Sequence, residues 1–148
     1  MKIVVLITCT KNKHLGTHKA EHLYSKSGNF VKYLECAKQL TKREDIYVIS
    51  ALHKLVPLDR RVKCYDFTLK DRQKDEVETW GKDVAMQLNE LYDFNNTRFI
   101  VIADDDYCTA LKPCLPAMDT PLEGFGCSSE GYYQLDAYVK QFVSMMDI

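Results

Sequence analysis

The chain lacks a hydrophobic run long enough to cross a membrane. Its longest apolar stretches, Ile3 to Ile7 and Phe99 to Ala103, fall well short of the roughly 18 to 20 residues that a membrane-spanning helix needs. The basic flank, apolar core and small-residue cleavage site of a signal peptide are missing as well, since Met1 leads straight into a strand-like segment. We therefore expect a cytoplasmic protein that has no membrane partner.

An excess of either charge is lacking too. The 148 residues include 20 Lys and Arg against 21 Asp and Glu, so the formal net charge is -1. This balance argues against a large basic face for duplex nucleic acid, and a small molecule or nucleotide suits it at least as well as a polymer. The hydrophobic fraction of 46% is that of a folded protein. We expect one domain, residues 1–148.

Motifs for metal clusters, redox chemistry and triphosphate cleavage are missing. The six cysteines include no Cys-x-x-Cys pair, so we expect free thiols in a reducing compartment. A Gly-x-x-x-x-Gly-Lys loop is also absent, which argues against a nucleoside triphosphatase. His14, His18 and His22 step by four residues, but Gly16 disfavours the helix that would align them. We expect no metal site and no other cofactor.

The hydrophobic pattern switches repeatedly between strand and helix periods. Continuous apolar runs predict strands at residues 2–8, 46–50 and 98–103, with a short fourth strand near 118–122. Helical spacing predicts helices at residues 27–41, 70–92 and 107–112, and a last one from Tyr132 to Met146. Pro57 disfavours a helix after the second strand, so we expect a long loop up to about Leu69.

This alternation is typical of an α/β fold in which right-handed crossovers join parallel strands. We expect three layers, with a mainly parallel central sheet of about four strands and helices on both faces. Ligands of such sheets bind outside the carboxyl ends of the strands. That rule places the candidate site on residues 9–13, on 50–53 with their continuation, on 104–107 and on 123–126.

The segment from Ser50 to Asp66 carries groups suited to catalysis. Asp59 or Asp66 could activate water, or stabilise an oxocarbenium-like centre, during cleavage of an N-glycosidic bond. His53 could supply or accept the proton. The alternative is an ordered loop in which Asp59 and Ser50 only satisfy the amides of turns.

Lysines and tyrosines near the other strand ends are candidates for binding a substrate. Lys11 and Lys13 could hold phosphate through their charge and neighbouring backbone amides, or be ordinary surface lysines. Tyr24, Tyr65 and Tyr107 could stack on a base, or simply pack in the core.

Three more residues near strand ends have possible roles. Asp104, the first of three consecutive aspartates, could recognise a ribose hydroxyl or hold Mg²⁺, or the cluster could cap a helix. Cys9 could be a nucleophile or a packed thiol. Gly124 lies in a glycine-bearing loop and is a further candidate for substrate contact.

Two patterns in the chain resemble known families. Residues 49–66, Ile-Ser-Ala-Leu-His-Lys-Leu-Val-Pro-Leu-Asp-Arg-Arg-Val-Lys-Cys-Tyr-Asp, resemble the signature loop of the YaaA peroxide-stress family. The order of short motifs along most of the chain resembles a related family of small, uncharacterised bacterial and phage proteins. These motifs are Cys9 with Lys11, residues 20–24 with Ser25, Ser50-Ala51 with Leu55, Tyr65-Asp66, Ala103 with Tyr107, and residues 121–124. Lys54 stands where the loop pattern has glycine, and Asp104 replaces the glycine after Ala103.

The resemblance implies a fold like that of the uracil-DNA-glycosylase and tRNA-guanine-modifying groups. It also implies a role in recognising or processing nucleobases. Our leading hypothesis is an enzyme, a glycosylase-like hydrolase or a transglycosylase, that acts on the N-glycosidic bond of a nucleotide or a modified nucleic acid. The alternatives are a non-catalytic nucleotide- or nucleic-acid-binding module in stress response or phage biology, and a Mg²⁺-dependent nucleotide transferase.

Overall fold

Strands and helices alternate along residues 1–146, the part of the chain that the computed structural model describes. The strands are β1 (Lys2–Thr8), β2 (Thr17–Lys19), β3 (Ile46–Ser50), β4 (Lys54–Pro57), β5 (Arg61–Lys63), β6 (Thr97–Ile102) and β7 (Met118–Asp119). The α-helices are α1 (Ala20–Leu23), α2 (Gly28–Leu40), α3 (Lys74–Leu91), α4 (Asp105–Leu111) and α5 (Ser129–Met146). Short 3-10 turns at Arg43–Asp45 and Phe94–Asn96 lead into β3 and β6.

β1 lies at the centre of a five-stranded sheet whose strand order is β4-β3-β1-β6-β7. It pairs in parallel with β3 and β6, so that Val5 lies opposite both Ile46 and Ile100. β7 continues the parallel set beside β6, whereas β4 runs antiparallel to β3. β1, β3 and β6 therefore end at the same edge of the sheet, where residues 9, 51 and 103 follow them. We call this the carboxyl edge.

Side chains of the central strands alternate between two hydrophobic cores, one on each face of the sheet. Val5 and Ile7 pack with α2 and α5, and Val4 and Leu6 pack with α3 and α4. This burial on both faces explains the uninterrupted apolar runs, since neither face of a central parallel strand meets water. The predicted three-layer α/β fold is confirmed, with five strands in place of about four.

The start of α2 is set by its local sequence. The side chain of Ser27 accepts a hydrogen bond from the backbone N–H of Phe30 and so caps α2, as predicted.

α3 and α4 pack so closely that a Cβ added at Gly81 would lie 2.3 Å from the carbonyl oxygen of Ala110. Glycine at this position lets α3 pack closely against the last turn of α4.

The predicted long loop after β3 is the main departure from the expected structure. It contains two strands, because the chain turns at residues 51–53 and returns along β3 as β4, where Val56 is fully buried. β4 is an edge strand, so Pro57 at its end removes no hydrogen bond that an interior strand would need. β5 then pairs with β2 in a separate two-stranded sheet.

None of the helices in residues 1–146 combines the length and the apolarity that crossing a membrane requires.

Candidate functional site

Three hydroxyl groups from distant segments form a chain of hydrogen bonds at the carboxyl edge. The phenol oxygen of Tyr65 lies 2.7 Å from that of Tyr24 and 2.6 Å from Oγ of Ser50. Ser50 is the last residue of β3, Tyr24 follows α1 and Tyr65 follows β5. The structure thus brings together these three predicted site residues.

A second set of contacts joins the end of β1 to the end of β3. Sγ of Cys9 lies 3.2 Å from the phenol oxygen of Tyr107, whose ring meets the ring of Trp80 edge-on at 5.3 Å. The indole N–H of Trp80 donates to the backbone carbonyl of Ser50 at 2.9 Å. Cys9, Tyr24, Ser50, Tyr65, Trp80 and Tyr107 therefore form one connected group, which we call the strand-end cluster.

The three tyrosines of the strand-end cluster are neutral hydroxyl groups at physiological pH. Burial raises the pKa of Tyr24 to about 12. Burial, followed by the nearby Cys9 thiol, raises the pKa of Tyr65 and that of Tyr107 well above the ordinary phenol value. A neutral phenol can donate one hydrogen bond and also accept, which is how Tyr65 bonds to both Tyr24 and Ser50.

Lys13 is a buried cation beside the strand-end cluster. The residue is only 8% exposed, and its ammonium nitrogen lies 4.5 Å from the centre of the Tyr65 ring. Its one hydrogen bond within residues 1–146 is a long one, 3.4 Å, to the carbonyl of Lys11, and no carboxylate there forms an ion pair with it. The contact with the ring contributes about 0.5–2 kcal/mol. Burial of a charge without an opposite charge is unfavourable, so this position favours an anionic ligand.

His53 lies over the same tyrosine. Its ring meets the Tyr65 ring edge-on at 5.1 Å, and its backbone N–H donates to Oγ of Ser50 at 3.0 Å. Ser50 thus both satisfies a turn amide and takes part in the hydroxyl chain. Burial, and then the charge of Arg60, lowers the pKa of His53, which leaves the imidazole neutral near pH 7 and able to accept a proton.

Asp104 and the loop that contains Gly124 both lie at the start of α4. Asp104 occupies the N-cap position without capping the helix through its side chain; its Oδ1 accepts a hydrogen bond from Sγ of Cys127 at 3.1 Å. The backbone N–H of Gly124, at φ +85°, donates to the carboxylate of Asp105 at 3.0 Å. These two contacts hold the loop after β7 against the end of β6. Asp104 is half-buried and lies two residues after the end of β6, at the carboxyl edge.

Asp59 does not reach the carboxyl edge, so the prediction that it meets Lys11, His53 and Tyr107 in one crevice is wrong. Antiparallel β4 carries the chain to the opposite edge, where Asp59 accepts a hydrogen bond from Arg43 at 2.6 Å. Its side chain is 67% exposed, and this hydrogen bond is the main cause of its lowered pKa.

The remaining predicted residues lie on the surface near the site. Asp66 directly follows Tyr65 and is exposed. Lys11 is exposed as well, two residues before buried Lys13 in the same loop.

Residues 4–133 match a family described as a family of unknown function (DUF6884). The chain belongs to this family. No curated protein and no solved structure matches the chain. The matched range includes every member of the strand-end cluster as well as Lys13 and Asp104, so the family pattern spans all the segments that build the site.

The backbone of Lys54 is in the left-handed region, with φ +64°. It is the one non-glycine residue of the described range with a positive φ. Its ammonium group pairs with Asp83 at 2.6 Å, which fixes the start of β4 against α3. A position that requires this conformation favours glycine, the residue that the resembling loop pattern has here.

Trp80 is the member of the strand-end cluster that the sequence analysis did not single out. It lies on the buried face of α3, within the helix predicted over residues 70–92, and is 4% exposed. The sequence offered one indication of its role, because the N–H of a buried indole needs a hydrogen-bond acceptor. A backbone carbonyl at the end of a strand is such an acceptor, and it would bring Trp80 close to the site.

No group of three or more His, Cys, Asp or Glu side chains within residues 1–146 is arranged to hold a metal ion. The rings of His14 and His18 meet edge-on at 5.9 Å, but His18 lies in β2 and its Nε2 is 2.7 Å from the carbonyl oxygen of Leu15. The histidines do not form a helical stripe.

Proposed function

We propose that the protein is a nucleobase-processing enzyme that cleaves or exchanges the N-glycosidic bond of a nucleotide or a modified nucleic acid. The observation that carries this proposal is the strand-end cluster, in which neutral hydroxyls and aromatic rings converge beside the buried cation Lys13 at the edge where α/β proteins bind ligands.

The chemistry of the cluster suits a base. The hydroxyl of half-buried Tyr65 can donate or accept, as the edge of a nucleobase requires, while fully buried Tyr24 and Ser50 hold it in place. An aromatic side chain that stacks on a base contributes about 1–3 kcal/mol. The ring of His53 or Tyr65 is placed to provide that surface at the rim.

Hydrolysis would use the neutral imidazole of His53 and a carboxylate. As the bond between the sugar carbon and the base nitrogen breaks, positive charge develops on the sugar, and a carboxylate stabilises it. Asp104 or Asp66 takes this role, because Asp59 is at the opposite edge. His53 accepts a proton from the attacking water as the new carbon–oxygen bond forms, and the base leaves with the bonding electron pair. His53 then returns its proton to the departing base, directly or through solvent, so that the imidazole is neutral again.

Two further observations support the proposal. The left-handed backbone at Lys54 favours glycine, the residue that the YaaA-type loop pattern has at this position, which supports the resemblance of residues 49–66 to that family. The six free thiols suit the reducing cytoplasm, where we propose that the protein acts.

The test is incubation with nucleotides, tRNA and modified DNA, followed by mass spectrometry of released base. We expect release of base, and we expect Asp104→Asn or His53→Gln to reduce it by roughly 10²–10⁴-fold, the range of general acid–base effects. Asp59→Asn is the comparison, and we expect it to release base at the wild-type rate. Absence of release from every substrate would contradict the enzymatic proposal.

The position of Asp59 favours a second candidate, a binding module without catalysis. The carboxylate that the loop was expected to supply to the site is instead bound to Arg43 at the far edge. A binding module would bind nucleotides or nucleic acid without turnover. If it binds a polymer, its log affinity would fall linearly with log salt concentration.

A further inference from the structure

Four consecutive backbone amides after β1 have no acceptor in the described structure. The N–H of Cys9 donates to the carbonyl of Ile49 at 3.1 Å, and that of His14 donates to the carbonyl of Leu23 at 2.9 Å. Between these two anchors, the N–H groups of residues 10–13 make no hydrogen bond to any acceptor within residues 1–146. Successive backbone amides that lack an internal acceptor can donate to an oxyanion where they face the same side of the chain.

The ammonium group of Lys13 is a second, independent feature of this loop that favours binding of an anion. Its ammonium group is buried, faces the Tyr65 ring and has no carboxylate partner within the described residues. Tyr65 in turn bonds to Ser50 and Tyr24, so the cation lies directly beside the strand-end cluster. The free amides and the unpaired ammonium therefore belong to one segment next to the proposed base site.

We propose that residues 10–13 bind a single phosphoryl group through their backbone amides and the Lys13 ammonium, so that the ligand is a mononucleotide. This inference rests on the proposed function for the identity of the base, but not for the anion site itself. A phosphoryl group would accept hydrogen bonds from the amides and neutralise the buried charge of Lys13.

One phosphoryl group suits this part of the molecule better than a polymer does. A nucleic-acid backbone is bound by a row of cations along its path, and the chain as a whole has a formal net charge of -1. Here the segment contains a single buried ammonium next to four adjacent free amides, and its only other cation, Lys11, is exposed.

The experiment follows the backbone amide resonances of residues 10–13 in the full chain. The probes are inorganic phosphate, nucleosides, their 5′-monophosphates, and a single-stranded oligonucleotide without terminal phosphates. We expect inorganic phosphate and the monophosphates to shift these resonances. We also expect a monophosphate to bind about 10- to 100-fold more tightly than its nucleoside, the usual effect of hydrogen bonds to a charged group.

Lys13→Met and Lys11→Met form a matched pair of variants. Both remove one ammonium group from the same loop, but only Lys13 is buried beside Tyr65. We expect Lys13→Met to abolish the advantage of the monophosphate over the nucleoside, and Lys11→Met to retain most of it. Lys13→Arg keeps the charge and should restore part of the phosphate binding. The amide spectrum of each variant verifies that it is folded.

The outcomes separate this inference from the proposed function. If nucleosides bind as tightly as monophosphates, or if both Met variants behave alike, the phosphoryl site is refuted while the base site stands. If inorganic phosphate binds but no nucleoside or monophosphate does, the anion site stands and the nucleobase function is refuted. If the oligonucleotide binds more tightly than every monophosphate, the single-phosphoryl assignment is refuted. If none of the four probes shifts the amide resonances, both the phosphoryl site and the nucleobase function are refuted.

Discussion

Sγ of Cys9 lies 3.2 Å from the phenol oxygen of Tyr107, although 98 positions of sequence separate the two residues. The contact joins the end of β1 to the first turn of α4, and Trp80 extends it to the end of β3. Trp80 is the one tryptophan in the chain. Its fluorescence is therefore a built-in reporter of the strand-end cluster.

Substitutions at Tyr107 test this arrangement. Tyr107→Phe removes the hydroxyl beside Cys9 and keeps the ring against Trp80, so we expect a loss of about 0.5–1.5 kcal/mol in the free energy of unfolding and little change in tryptophan emission. Tyr107→Ala also removes the ring, and we expect a loss of about 3–5 kcal/mol with red-shifted emission. Urea unfolding and tryptophan emission spectra measure both. Unchanged emission in Tyr107→Ala would show that the two rings are not in contact.

Removal of a hydroxyl from the hydrogen-bonded chain should lower the free energy of unfolding more at Tyr65 than at Tyr24. Tyr65 is its middle member, so Tyr65→Phe leaves the hydroxyls of Tyr24 and Ser50 without this partner, which costs about 1–3 kcal/mol. Tyr24→Phe leaves the contact between Tyr65 and Ser50 intact, and we expect about 0.5–1.5 kcal/mol. Urea unfolding of the two variants gives the comparison. An equal or larger loss for Tyr24→Phe would contradict the central position of Tyr65.

The left-handed conformation of Lys54 predicts which of two substitutions at this position destabilises the protein more. Lys54→Gly and Lys54→Ala both remove the ion pair with Asp83, but only glycine adopts φ +64° without steric cost. We expect the glycine variant to be more stable than the alanine variant by about 1 kcal/mol, measured by chemical denaturation. In an ordinary right-handed or extended backbone, alanine would be the more stable of the two.

Protonation of His53 should oppose folding. Because burial lowers the pKa of this imidazole in the folded protein, the unfolded chain binds the proton more readily. The stability that neutral His53 provides is therefore complete above the unfolded value of about 6.5 and is lost as the pH falls through the folded value. We expect the free energy of unfolding to fall less steeply from pH 7 to pH 5 in His53→Gln than in the wild type. Parallel pH profiles would contradict this.

The central strands could be predicted from the sequence because parallel strands covered on both faces leave an unmistakable pattern. The apolar runs of β1, β3 and β6 identified the strands, and their shared direction placed Ser50 and Tyr107 at one edge. β4 could not be predicted in the same way. It is a short edge strand that ends in Pro57, and its composition does not indicate whether it runs parallel or antiparallel to β3.

The residue types of the site were also easier to predict than their contacts. Tyr24, Tyr65 and Ser50 were identified one by one, but the hydrogen bonds that link them depend on segments that meet only in the folded chain. The burial of Lys13 and the exposure of Lys11 differ for the same reason, since two lysines in one loop look alike in a sequence. Asp59 was misplaced because its position follows from the direction of β4.

The course of β4 and β5 divides the strand-end cluster between two halves of the chain. The exposed residues Asp59 and Arg60, between β4 and β5, lie at the far edge. A single cut of the backbone there would leave Cys9, Tyr24 and Ser50 on one fragment and Tyr65, Trp80 and Tyr107 on the other. Neither fragment carries a complete site. Reassociation of the two pieces would be required to rebuild it, which makes this turn a natural position for a split version of the protein whose ligand binding reports complementation.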